Sequence, residues 1–90
     1  MSTRAQEATM APEITIRQAS STDAFALRRL AALDDAAALR GEVLLAEQSG
    51  DIRAALSLEN GRAIANPFAP TAELVEMLRT RSRLIETVAA

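Results

Sequence analysis

Ninety residues suit one domain that is small for a full hydrophobic core, and an apolar content of 49% makes the chain globular rather than disordered. It contains no Cys, His, Lys, Tyr or Trp, which excludes disulfides, thiolate and imidazole metal sites, histidine acid–base chemistry and Schiff-base catalysis. The net charge is −2, and every basic residue is a scattered arginine, so no nucleic-acid surface is expected.

No apolar run approaches the roughly 20 residues of a membrane span. The first residues also lack the apolar stretch of a signal peptide, so a cytoplasmic protein with no membrane contact is the expectation. Aromatics are 2% of the chain and alanine supplies much of the apolar fraction. Such a core buries little area per residue, and at roughly 25 cal/mol per Å² its stabilisation is thin. A partner surface would supply what the core lacks.

Residues 1–12 are small, polar and without periodicity, and read as a flexible N-terminal tail ahead of a single domain over residues 13–90. Glu13 to Gln18 alternates with period two, placing Ile14 and Ile16 on one face of a first strand. Ser21-Thr22-Asp23 supplies N-cap chemistry, with a carboxylate where the helix dipole favours it. The helix that follows runs to about Leu33 or Asp34, with Leu27, Leu30 and Ala31 as its apolar stripe and Arg28 and Arg29 toward solvent. Ala36 to Leu39 reads as a further helical turn closed by Gly41.

Glu42 to Gln48 is a second strand and Ser49-Gly50-Asp51 a tight turn. Ile52 to Leu58 is a third, with Ile52, Ala54, Leu56 and Leu58 on one face and Arg53, Ala55 and Ser57 on the other. Asn60-Gly61 is the strongest hairpin signal, because a type I′ turn needs two residues tolerant of positive φ. Arg62 to Asn66 returns as the fourth strand. Ala55, Ala63 and Ala65 read as a row of small residues against which a helix packs closely. Thr71 caps the last helix, Glu73 lies in its first turn, and Leu74, Val75, Leu78 and Ile85 form its apolar face. The order β-α-β-β-β-α describes an α+β fold, sandwich-like, with helices packed on a mainly antiparallel four-stranded sheet.

Few constellations could carry chemistry. Glu42 and Glu47 are an odd number of positions apart and point to opposite faces of their strand, so they form no paired site. Glu59, Asp34 and Asp35 read as solvated loop ends. Arg79 and Arg83 share a helix face and could clasp a phosphate, although pairing with Glu76 or Glu86 is the commoner use of such residues. Ser57 and Thr71 have no histidine to activate them. Phe68 stands between Pro67 and Pro70 in the strand-to-helix connection, where it reads as core or lid packing, the alternatives being a cap on the sheet edge or an anchor for a partner surface. No catalytic, cofactor-binding or metal residue is assigned.

Three stretches carry a family resemblance: Ile14-Thr15-Ile16-Arg17-Gln18-Ala19, then Thr22-Asp23-Ala24 opening a helix that ends Leu30-Ala31-Ala32-Leu33-Asp34, then Val43-Leu44-Leu45-Ala46-Glu47 and Ile52 to Leu58 around Gly50. Together, over roughly Glu13 to Ile85, they resemble the N-terminal half of the GCN5-related N-acetyltransferase (GNAT) family. The resemblance implies a first strand, a helical segment and an antiparallel three-strand meander. It also implies an Arg/Gln-x-x-Gly-x-Gly/Ala loop that would bind the pyrophosphate of acetyl-CoA before the next helix. This chain has Asn66-Pro67-Phe68-Ala69-Pro70-Thr71 at that place, with neither the glycines nor the N–H groups such a loop needs. The family's tyrosine acid matches no position, so no functional residue is carried over.

The expectation is therefore a truncated GNAT-like domain without acetyltransferase activity of its own and without a cofactor, acting through protein–protein contact or homodimerisation. Its fourth strand, with Arg62, Ile64 and Asn66, is the expected edge for a partner. The alternative is an acyl-CoA-dependent N-acetyltransferase whose site is completed by a second chain, which would take acetyl-CoA. A nucleic-acid-binding regulator using Arg79 and Arg83 is a third class, marked by steep salt dependence.

Overall fold

The computed structural model describes residues 13–89, with side chains through Ile85. The expected tail over residues 1–12 and the side chain of Glu86 lie outside the described residues. Four strands, β1 (Ile14–Gln18), β2 (Val43–Gln48), β3 (Asp51–Ser57) and β4 (Ala63–Ala65), form one antiparallel sheet in chain order. Helix α1 (Ala24–Leu33) follows β1 through a 3₁₀ turn at Ser21–Asp23, and α2 (Ala72–Ala89) follows β4. The order is the expected one, and the fold is α+β.

Each helix covers one face of the sheet. Leu30 and Ala31 of α1 pack on Val43, Leu45, Ala55 and Ile64. Leu74 and Leu78 of α2 pack on Leu44, Ala46, Ala54 and Leu56. The run Val43-Leu44-Leu45-Ala46 is buried throughout because alternate residues feed the two layers. The expected alanine row divides between them. Ala55 lies on the α1 face, whereas Ala63 and Ala65 lie on the α2 face.

A bulge explains a second departure. Ala46 pairs with Ala54 but Glu47 pairs with Ile52, so Arg53 is an extra residue on β3. That insertion reverses the alternation. Ile52 packs against the α1 cluster, while Ala54, Leu56 and Leu58 stay with α2.

The turns also differ from expectation. Ser49 and Gly50, joining β2 to β3, have φ of 55° and 90°, so this two-residue connection is the one with the paired positive φ of a type I′ hairpin. Asn60-Gly61 belongs instead to a longer loop closed by Ser57 N–H to Arg62 O at 2.8 Å. Only Gly61, at φ 76°, enters the left-handed region there. The Asn60 side chain accepts the N–H of Arg62 at 3.0 Å.

Helix α1 ends earlier than the extra turn would require. Asp35 takes φ 52°, its N–H bonds Ala32 O at 3.1 Å, and the N–H of Ala36 bonds Ala31 O at 2.9 Å. This is a Schellman ending with Asp35 in the place usually given to glycine. Residues 36–40 are not helical. Gly41 (φ 70°) instead makes a close approach: a Cβ there would lie 2.9 Å from Glu59 Cβ.

Candidate functional site

The strand-to-helix connection is built from its own hydrogen bonds. Pro67 and Pro70 have no N–H. The N–H of Phe68 donates to Asn66 Oδ1 at 2.8 Å, and that of Ala69 to Asn66 O at 3.3 Å. Asn66 is itself anchored, since its N–H donates to Arg53 O at 2.9 Å. Residues 67–70 therefore have no N–H left for a ligand. The first turn of α2 adds the carboxylate of Glu73, which opposes an anion at that end of the helix.

Phe68 does not pack as core or lid. Its side chain is 81% exposed on this stiff turn. The other aromatic, Phe25, is also on the surface, with the guanidinium carbons of Arg28 and Arg29 each 6.0 Å from its ring centre. Neither phenylalanine contributes to the two core clusters.

The carboxylates and arginines divide differently from the sequence reading. Arg17 donates from Nη1 and Nη2 to Asp23 Oδ2 and Oδ1, both at 2.9 Å, and Nη2 also reaches Glu47 Oε2 at 3.0 Å. Asp23 is buried and further accepts the N–H of Ser20 at 2.7 Å. Ser20, rather than Ser21, is the N-cap residue that Asp23 reaches back to. The side-chain hydrogen bonds from Arg17, then the Ser20 N–H, hold the Asp23 carboxyl well below the usual carboxylate range. Asp23, then Glu47, hold the Arg17 guanidinium above its ordinary value. The forked guanidinium spends both amino groups on the protein's own carboxylates, so this triad is a clasp joining β1, β2 and the entry to α1. The period of β1 carries a signal for it: Arg17 alternates with Ile14 and Ile16, so it faces the layer of the first helix, where an arginine needs an anion.

The remaining candidates are also engaged. Arg79 donates from Nη1 to Gly61 O at 3.0 Å and ties α2 to the β3–β4 loop, while Arg83 Nη2 reaches Thr80 Oγ1 at 3.3 Å. Ser57 is fully buried; its Oγ donates to Arg40 O at 2.7 Å and accepts the N–H groups of Glu59 and Asn60. Asp34 Oδ2 accepts the N–H of Ala65 at 3.1 Å, and Arg62 Nη2 donates to Ala37 O at 3.2 Å. Ile64 is 1% exposed. Of the three residues expected to present the β4 edge, Arg62 is exposed with its guanidinium on Ala37 O, Ile64 is buried, and the Asn66 side chain accepts the Phe68 N–H.

A groove of 480 Å³ runs between the β1–α1 connection and the segment before β2, lined by Ser20, Ser21, Leu27, Arg28, Leu39 and Glu42. It offers one cation, one carboxylate and hydroxyls, and the Ser20 hydroxyl is already bonded to Asp23 and Thr22. Among the described residues no group of three or more His, Cys, Asp and Glu could hold a metal ion, and no helix is long and apolar enough to cross a membrane. No family model, no curated protein and no solved structure matches this chain.

Proposed function

We propose that this chain is a GNAT-like unit that does not transfer acetyl groups by itself and acts through protein–protein contact, including contact with its own copies. The β4–α2 connection carries this reading. Where the family resemblance would place donors for a pyrophosphate, residues 67–70 have none to give, and the turn presents an exposed phenylalanine instead. A rigid aromatic held in water is a poor element of a small core but a good anchor for another surface.

Thermal denaturation with acetyl-CoA tests the first half of the reading. The melting temperature should not move with ligand. A saturable rise at micromolar acetyl-CoA overturns the inactive reading, because only a ligand of the folded state stabilises in that way. Light scattering at tens of micromolar tests the second half. A species larger than the monomer supports contact between copies, and a monomer counts against it.

A further inference from the structure

We propose that the open edge of β1 is where a second copy of this chain pairs, extending the two sheets into one. This rests on the reading of the chain as a contact unit and names its partner and surface. Ala19 N–H donates to Val43 O at 2.8 Å and Ser49 N–H to Glu13 O at 3.1 Å. Alternation then turns the backbone of Thr15 and Arg17 toward β2 and that of Ile14, Ile16 and Gln18 outward. Among the described residues, no strand pairs with this side of β1. Arg17 Nη1 reaches it, 3.4 Å from Gln18 O.

The other edge is guarded. Strand β4 has three residues, and of its two outward N–H groups that of Ala65 is taken by Asp34. Short length and a covering loop are the usual means of blunting an edge. Strand β1 has five residues, no proline and no bulge.

Beside β1, on the α2 layer, lies a groove of 370 Å³ lined by Ile16, Met77, Thr80, Leu84, Glu76 and Arg81. Leu84 is 57% exposed, and Ile14 and Met77 are also open to solvent. A second copy fits this strip for two reasons. Antiparallel pairing centred on Ile16 sets Ile14 against Gln18 of the copy and Ile16 against its own equivalent, so the contact closes on a twofold axis. The groove also carries one carboxylate and one guanidinium, so a copy reversed by that axis offers its cation to Glu76 and its anion to Arg81.

Light scattering across a concentration series decides the matter, with circular dichroism to confirm folding. Proline at an outward N–H leaves the β2 ladder intact; at Ile16 it removes the edge donor together with a side chain that lines the groove and packs on the α2 cluster. Ile16→Pro should raise the dimer Kd by roughly tenfold or more. Leu84→Glu, outside the core, should do the same and decides the question if Ile16→Pro does not fold. Ala63→Pro, the matching change on β4, should leave the dimer intact. Arg81→Glu should weaken it and Glu76→Arg added to that variant should restore it. A dimer lost in Ala63→Pro but kept in Ile16→Pro and Leu84→Glu overturns the β1 edge while keeping the contact reading. Absence of rescue by the charge swap overturns the twofold geometry. A monomeric parent chain overturns both this proposal and self-contact.

Discussion

Asp23 shows how much one side chain carries in this small fold. It accepts both arms of Arg17 and the N–H of Ser20, so it fixes the angle at which the chain leaves β1 and enters α1. Its carboxyl is depressed in the folded state, chiefly by the hydrogen bonds from Arg17. The unfolded chain therefore takes up this proton first, near the ordinary aspartate value of about 3.9, and stability falls as pH drops through and below that value. Above about pH 5 the contribution is complete and constant. The raised value of Arg17 adds nothing to this window, because the guanidinium is charged in both states across it. Urea midpoints of the parent chain should thus decline from pH 5 to 2.5, and those of Asp23→Asn should start lower and decline less. Equal slopes would remove Asp23 from the acid limb.

At the scale of the element, the β2–β3 hairpin is the instructive case. Type I′ geometry falls on Ser49-Gly50, and serine is a costlier occupant of φ 55° than asparagine. Ser49→Asn should raise stability modestly, read as an upward shift of the denaturation midpoint at constant slope. A loss of stability would mean that the serine hydroxyl supports the turn in a way its backbone angle does not reveal. The same hairpin marks where the sequence was legible and where it was not. Period two located β1 and β3, a continuous apolar run marked β2, which is buried on both faces, and the Asn60-Gly61 turn signal placed β4. Asn60-Gly61 outranked Ser49-Gly50 on composition alone, but loop length decides turn type, and it depends on where β3 stops pairing. Arg53 likewise gives no local sign of a bulge; the extra residue emerges only when Glu47 finds its partner in Ile52. The helix end at Leu33 was legible, but the added turn over Ala36 to Leu39 does not form, because Asp35 takes the left-handed cap position and Gly41 is not a helix stop. Of the candidate site, the donor-poor β4–α2 turn was legible in its prolines, whose missing N–H is a property of the residue, but not in the capture of the Phe68 and Ala69 N–H groups by Asn66. The Arg17 clasp was not, because it joins residues six and thirty positions apart. The exposure of Phe68 was hidden for a similar reason, because it depends on both helices closing their layers without it.

The whole molecule is a single sheet with two cores, and the sheet itself is the wall between them. Leu30, Leu45 and Ile64 belong to one layer, and Leu56, Leu74 and Leu78 to the other. Neither layer has an aromatic ring, so each relies on a few fully buried aliphatic side chains. Truncating one should be costly: Leu78→Ala is expected to lose about 2–5 kcal/mol and Ile64→Val about 0.5–1.5 kcal/mol. The first is a large share of the roughly 5–13 kcal/mol available to a chain of this length. The two side chains sit on opposite faces and in separate clusters, so the combined variant should lose the sum to within about 0.5 kcal/mol. Denaturant titration of the parent, both single variants and the double variant closes this cycle. A coupling well beyond that margin would show that the sheet transmits strain from one layer to the other. That would tie the groove lined by Ile16 and Leu84 on the α2 side to the Arg17 clasp on the α1 side, because both meet at β1. Additivity would leave the groove beside β1 free to change without disturbing the Arg17 clasp on the opposite face of the sheet.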